Sequence, residues 1–201
     1  LPLNFVRSDK KPEDFCESLI DSSSKYNAFQ IICFQRDEND QYEVVGLANH
    51  FVDKIEVVKF PPGIYGFGNS PSSKPFKKIQ RGVSRMKEII EKINTQRLSE
   101  EETIERLMQL ATDKHQQKAF FRCFPDEQLK QQCRRSNELC RYRTAIFVQF
   151  PDGIPYGTRS HTIVLVDRNN RATFYEKAMD AAPKRASEAN WTERTFHFDL
   201  V

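Results

Sequence analysis

Arg159 is the residue of this sequence best suited to recognising an anion. It closes the run Gly157-Thr158-Arg159, directly ahead of a near-continuous apolar run at 160–166. Its guanidinium is therefore expected at the mouth of a sheet, where a planar fork of donors binds carboxylate or phosphate bidentately, as a lysine would not. His161 opens the apolar run. A neutral imidazole there can ligate a metal, although a histidine in a buried strand is ordinarily a core residue. His50 follows a strand in a polar loop, and Asn69 lies between Gly68 and Ser70. Tyr65, Phe67 and Tyr156 flank the same expected mouth, in a chain with 16 Phe and 6 Tyr. His115 and His197 are assigned no role.

Several chemistries are disfavoured by what surrounds these residues. A net charge of +3, with Lys and Arg interspersed among Asp and Glu, is too small to argue for nucleic acid. Five cysteines with no C-x-x-C pair fit a reducing compartment better than a disulfide framework. Cys33 reads as a small hydrophobe in a strand and Cys16 as a helix flank. Cys123, Cys133 and Cys140 lack metal-ligand spacing. The glycines at 63 and 66 are too close for a phosphate loop. The basic stretch 128–143 (Lys130, Arg134, Arg135, Arg141, Arg143) reads as a solvated face, with weak attraction for an anionic membrane or a propionate. No apolar run approaches the ~20 residues needed to span a bilayer. No leader is expected at residues 1–6, although the chain starts with Leu rather than Met. At 201 residues it is long enough for one domain with a real core.

The elements that must position these residues can be read from period and punctuation. Pro12-Glu13-Asp14 opens a helix with Phe15, Leu19 and Ile20 as its stripe. Strands are expected at 28–35 and 42–48 around a hairpin loop containing Asn39-Asp40, then at 54–60 until Pro61-Pro62 breaks the run, with an extended segment at 64–69. Phe76, Ile79, Val83, Met86, Ile90 and Ile93 give a helix over 76–93. Ser99 and Glu102 form a capping box ahead of a helix bearing Ile104, Leu107, Met108 and Ala111. Residues 112–140 are weakly patterned, with a helix near 127–139. Strands follow at 143–150, 160–166, 171–176 and 192–200, the second apolar on both faces and so expected to be central and covered on both sides. Asp167 to Asn170 supplies a turn. Antiparallel strands with consecutive helices inserted argue for α+β.

Four segments go beyond pattern: Tyr26-Asn27-Ala28-Phe29-Gln30-Ile31-Ile32; Pro62-Gly63-Ile64-Tyr65-Gly66-Phe67-Gly68-Asn69 with Pro75-Phe76-Lys77-Lys78; Tyr156-Gly157-Thr158-Arg159; and Trp191-Thr192-Glu193-Arg194-Thr195-Phe196. Together they resemble the transport and Golgi organisation protein 2 family, also known by an Asn-Arg-Asp-Glu motif near its N-terminus. The resemblance implies an N-terminal-nucleophile-hydrolase-like αββα sandwich of antiparallel sheets. Here it would lack its N-terminal strands, because the family's Met-Cys start and its Asn-Arg-Asp-Glu motif are absent. The chain looks like the C-terminal two-thirds of such a protein, with an insertion at about 94–140. In cysteine hydrolases of that fold an Asn and an Arg stand near the nucleophile, and Asn69 and Arg159 match those positions. An amide donor and a fixed cation suit developing negative charge, but no catalytic residue is expected in this chain.

The resemblance implies a soluble carrier or chaperone of haem b, acting in the cytoplasm and serving mitochondria or the Golgi. Its partners would be membrane-bound haem transporters or acceptor haemoproteins. The expected binding set is Arg159, His161, His50, Asn69, Tyr65, Phe67 and Tyr156, with His50 and His161 as candidate iron ligands. The alternatives are a cysteine amidase or acyl hydrolase with its nucleophile outside this chain, and a trafficking factor acting by protein contacts alone.

Overall fold

A computed structural model describes residues 1–37, 39, 41–117, 127–133 and 135–200. Asp40, Cys123 and Arg134, each part of an expectation above, lie outside the described residues. Helices and two three-stranded antiparallel sheets bear out the α+β class. The chain divides into two compact units, Leu1–Gln80 and Arg81–Val201.

In the first unit α1 (Pro2–Val6) and α2 (Pro12–Ile20) precede β1 (Gln30–Arg36), β2 (Tyr42–Ala48) and β3 (Val58–Lys59), in sheet order β1-β2-β3. Pro12 starts α2 in its first turn, where its missing N–H costs nothing, and Glu13 and Asp14 favour the positive helix end. Phe15, Cys16 and Leu19 bury themselves against Ile31, Cys33, Val45 and Leu47 on alternate positions of β1 and β2. Each large side chain buried there contributes about 1.5–3 kcal/mol. Cys16 is not on a helix flank but fully buried, because the α2 stripe runs through positions 15, 16 and 19. The β1–β2 loop is built by Asp37, whose carboxylate accepts from the N–H groups of Asn39 and Gln41 at 2.9 and 2.8 Å. The strand expected over 54–60 shrinks to two residues, since Pro61 and Pro62 cannot donate to a ladder. Gly46 lets the Phe60 ring lie on the sheet: a Cβ there would sit 2.9 Å from that ring.

The second unit receives most of α3 (Lys77–Gln96), then α4 (Glu100–Ala111), α5 (Glu127–Cys133) and α6 (Asn137–Cys140). Ile89, not Ile90, is the buried residue of α3. A stripe stepping 83, 86, 90, 93 repeats at nearly 3.5 and drifts away from a straight helix of 3.6 residues per turn. The capping box is present: Ser99 Oγ accepts from Glu102 N at 3.2 Å, and Ser99 N donates to Glu102 Oε2 at 2.8 Å. The second sheet is β4 (Ser160–Val166), β5 (Arg171–Met179) and β6 (Trp191–Asp199), in that order. The β4–β5 turn is closed by Asp167, which accepts from Asn169 N and Arg171 N at 2.8 and 2.9 Å, with Asn170 at φ 61°.

Two expectations fail here. Among the described residues β4 is an edge strand, not a central one, and only one of its faces is covered. His161 and Ile163 are buried, whereas Val164 is 56% exposed. A strand apolar on both faces therefore leaves one apolar face open. The expected strand over 143–150 is absent. A short 3-10 turn occupies Arg141–Thr144, and a single bridge joins Gln149 to Gly157. The Val148 N–H is taken by the Thr158 hydroxyl at 3.0 Å, and the Val148 carbonyl by Thr158 N at 2.7 Å. Those bonds tie a looped wall rather than a ladder.

Candidate functional site

That looped wall encloses one side of a cavity of about 610 Å³ in the second unit, and the segment after β5 encloses the other. Its position follows from three ties. Asp113, at the end of α4, accepts from Phe147 N through its carbonyl at 2.9 Å. Its carboxylate takes Arg81 Nε at 2.8 Å and Arg85 NH1 at 2.9 Å from α3. Burial pushes the Asp113 carboxyl up, but the hydrogen bonds from Arg81, His115 N and Arg85 outweigh it and bring the pKa to about 2. The Arg159 carbonyl accepts from Met179 N at 2.8 Å, which fixes Arg159 at the end of β5. Across the rim, Asp152 Oδ1 accepts from Ala186 N at 3.2 Å. Gly157 lets the wall fold back on itself: a Cβ there would stand 2.8 Å from the Val148 carbonyl oxygen.

The lining combines an apolar body with cations. Phe147, Phe150, Tyr156, Met179 and Trp191 supply flat and flexible apolar surface, and Lys114, Arg159 and Lys184 supply positive charge. Asp152, held at the rim, is the lining carboxylate. The wall is braced from behind by stacking. Phe150 meets Tyr156 edge-on at 5.3 Å and Tyr142 at 5.6 Å. Arg143 lies over Tyr156 at 5.5 Å and Arg135 over Phe150 at 5.8 Å. Lys114 Nζ stands 5.1 Å from the Phe147 ring centre. Two arginines of the basic stretch thus hold aromatic rings in place instead of forming a merely solvated face.

His161 does not line the cavity. Its ring stacks on Phe147 at 5.5 Å and on Trp191 at 5.7 Å, behind two residues that do. Its Nε2 is buried and has no hydrogen-bond partner. Burial, and then the charge of Lys177, hold its pKa below the ordinary histidine value. The imidazole is therefore neutral, the form that can ligate a metal. Lys177 is itself engaged by Glu193 at 2.6 Å.

The remaining candidates belong to the first unit. Tyr65 and Phe67 come together with Phe60, at 5.2 and 5.1 Å from its ring, and the Tyr65 hydroxyl donates to Pro61 O at 2.8 Å. Asn69 is exposed. With its amide turned to donate, Gln30 bridges the Gly68 and Ser70 carbonyls on either side of it at 3.0 and 3.1 Å. His50 is exposed, its ring 3.9 Å from that of Phe51, which has φ 59°. Of the expected set, Tyr156 and Arg159 line the cavity and His161 backs it. Lys114, Phe147, Phe150, Met179, Lys184 and Trp191 also line the cavity, outside the expected set. Trp191 alone carried a signal, as a lone tryptophan opening the last strand.

Among the described residues no three His, Cys, Asp or Glu side chains are grouped to hold a metal ion. Nor is any helix long and apolar enough to cross a membrane. The thiols of Cys16, Cys33 and Cys140 are the reverse of activated. Burial, followed by the neighbouring Cys33, pushes Cys16 up to about 12. Burial and a hydrogen bond with Cys133 push Cys140 up to about 11.

An α+β chain with an apolar, cation-bearing cavity at the end of an antiparallel sheet has the parts of a small-molecule binding protein. The chain belongs to the Transport and Golgi organisation 2 family, whose model matches residues 1–181. It is similar to Transport and Golgi organization protein 2 of Drosophila melanogaster, 29% identical over 83% of this chain and 54% of that protein. The Mus musculus homolog is 25% identical over 98% of this chain and 66% of its own length. The Homo sapiens homolog is 24% identical over the whole chain and 67% of its own length. The chain thus spans about half to two-thirds of the length of these relatives.

Proposed function

We propose that this chain carries an amphipathic anionic ligand with a flat apolar body, and that the ligand is haem. The observation that supports this reading is the cavity in the second unit. Its volume of about 610 Å³ falls within the roughly 300–1,000 Å³ usual for small-molecule sites. The aromatic wall offers a face to a macrocycle, and Arg159, Lys114 and Lys184 offer partners for two propionates. His161 would reach iron only by turning out from between Phe147 and Trp191. Such a ligand binds weakly, which suits a protein that must release its cargo. His50 is the second iron ligand to test. The relatives' names, with transport and Golgi organisation in them, agree with a carrier. We further propose that the two antiparallel sheets belong to an N-terminal-nucleophile-hydrolase-like sandwich. On this reading the protein acts in the cytoplasm beside mitochondrial or Golgi membranes and passes haem between membrane transporters and acceptor haemoproteins.

A haem titration followed at the Soret band tests this, repeated on Arg159→Ala, His161→Ala and His50→Ala. Saturable binding is expected, weakened about tenfold or more by Arg159→Ala, since a hydrogen bond to a charged group contributes about 1.5–3 kcal/mol. A shifted Soret maximum in one histidine variant would identify the iron ligand. A featureless, non-saturating titration would sink the proposal.

A further inference from the structure

The outer face and free edge of the second sheet form a surface that meets the cavity only at Trp191. Antiparallel register sets Val164, Phe174 and Phe196 in one row and Val166, Ala172 and Phe198 in the next. Phe196 and Phe198 are 54% and 47% exposed, and every residue of β6 from 193 to 199 is exposed. β5 occupies one side of β6, and among the described residues its other side pairs with no strand. A nine-residue exposed edge beside an apolar face is a template for strand addition.

We propose that β6 pairs antiparallel with β6 of a second copy about a two-fold axis through Thr195, which joins the two sheets into one of six strands. The sequence of β6 is self-complementary in that register. Arg194 faces the partner's Phe196, and by symmetry Phe196 faces the partner's Arg194, which gives two cation–aromatic pairs on the apolar face. On the other face Glu193 meets the partner's His197. Because Lys177 holds Glu193 at 2.6 Å and Glu100 holds His197 at 2.8 Å, the row runs Lys177, Glu193, the partner's His197, the partner's Glu100, with an imidazole between the two carboxylates. Neighbouring registers lack this match. An axis through Arg194 sets two guanidiniums opposite each other, and one through Phe196 sets Glu193 against the partner's Asp199. Like charges directly opposite destabilise a strand pair, so the axis through Thr195 is selected, and it alone pairs all nine residues.

Sedimentation equilibrium on the 201-residue chain is expected to show a dimer. Phe196→Lys sets lysine opposite the partner's Arg194 twice and should weaken dimerisation about tenfold or more. Adding Arg194→Glu turns both contacts into ion pairs and should restore it. Oxidation of Thr195→Cys should give a covalent dimer, since facing residues of an antiparallel pair have the Cα separation a disulfide needs. Thr192→Cys, which faces the partner's Phe198, should not. Far-UV circular dichroism confirms that each variant is folded, and the cysteine variants read the register even if Phe196→Lys proves unstable. A monomeric parent chain overturns the proposal and leaves the edge to a strand from a different polypeptide. Equal cross-linking of Thr192→Cys and Thr195→Cys also overturns it.

Discussion

The two sheets have the same number of strands and the same antiparallel order, yet they spend their buried faces differently. The face of β1 and β2 under α2 is closed and apolar, filled by Ile31, Cys33, Val45 and Leu47. The face of β4 and β5 under α4 buries His161 and Thr173 beside Ile163 and Tyr175, with the exposed His197 at its margin. Glu100 reaches across from α4 to accept from the Thr173 hydroxyl at 2.7 Å and to bond His197 at 2.8 Å. A uniformly apolar face gains stability but can recognise little. A face with polar groups at fixed points gives up packing for directed interactions, and the cavity lies at its end. The candidate cavity thus lies in the unit whose sheet buries polar groups among its apolar ones.

That contrast can be broken most forcefully in the first unit. Leu47→Ala should cost about 2–5 kcal/mol, the usual range for emptying a tightly packed aliphatic site. Hydrogen exchange should show the loss in β1, β2 and α2, with the amides of β5 unaffected. Equal loss in both units would mean that the sheets do not differ as argued.

Asp113 offers a smaller and pH-dependent test of the second unit. Its folded pKa lies near 2, below the ordinary aspartate value of 3.8, so its contribution is present above about pH 4 and is lost as pH falls towards 2. Discounted for the partial exposure of Arg81 and Arg85, it amounts to ~1–2 kcal/mol. Asp113→Asn should remove this acid-dependent step from a series of urea midpoints, while the Asp113 main-chain carbonyl keeps its bond from Phe147 N. An unchanged slope between pH 4 and 2 would remove Asp113 from the account.

Ser99→Ala should have the smallest effect, about 1 kcal/mol for a lost N-cap. It should be read at the start of α4 and, through Glu100, at Thr173 and His197. Faster exchange confined to residues 100–103, with β5 untouched, would show that α4 does not position the sheet.

The capping box, the Asp167 turn and the antiparallel pairings were legible in the sequence because each depends on residues close together in the chain. So was the family, from short runs of distinctive residues. The cavity was only partly legible. Arg159 and Tyr156 could be placed, because they precede a clear strand. Phe147 and Phe150 read as strand residues, since alternation does not reveal that Thr158 takes the Val148 N–H and ends the ladder. Lys114 and Lys184 gave no signal at all, as a lysine in a polar stretch looks the same whether or not a fold brings it to a rim. The burial of Cys16 beside Cys33 is a contact between residues far apart in sequence, which periodicity cannot supply.

Those thiols have a practical consequence. Cys16 and Cys33 lie in one unit and Cys133 and Cys140 in the other, all four buried. With Cys16 held near 12 and Cys140 near 11, little thiolate forms at neutral pH in the closed molecule, and alkylating reagents must wait for the chain to open. Each pair is thus a clock built into its own unit. The order in which the two pairs acquire label, read by peptide mass, gives the order in which the units breathe.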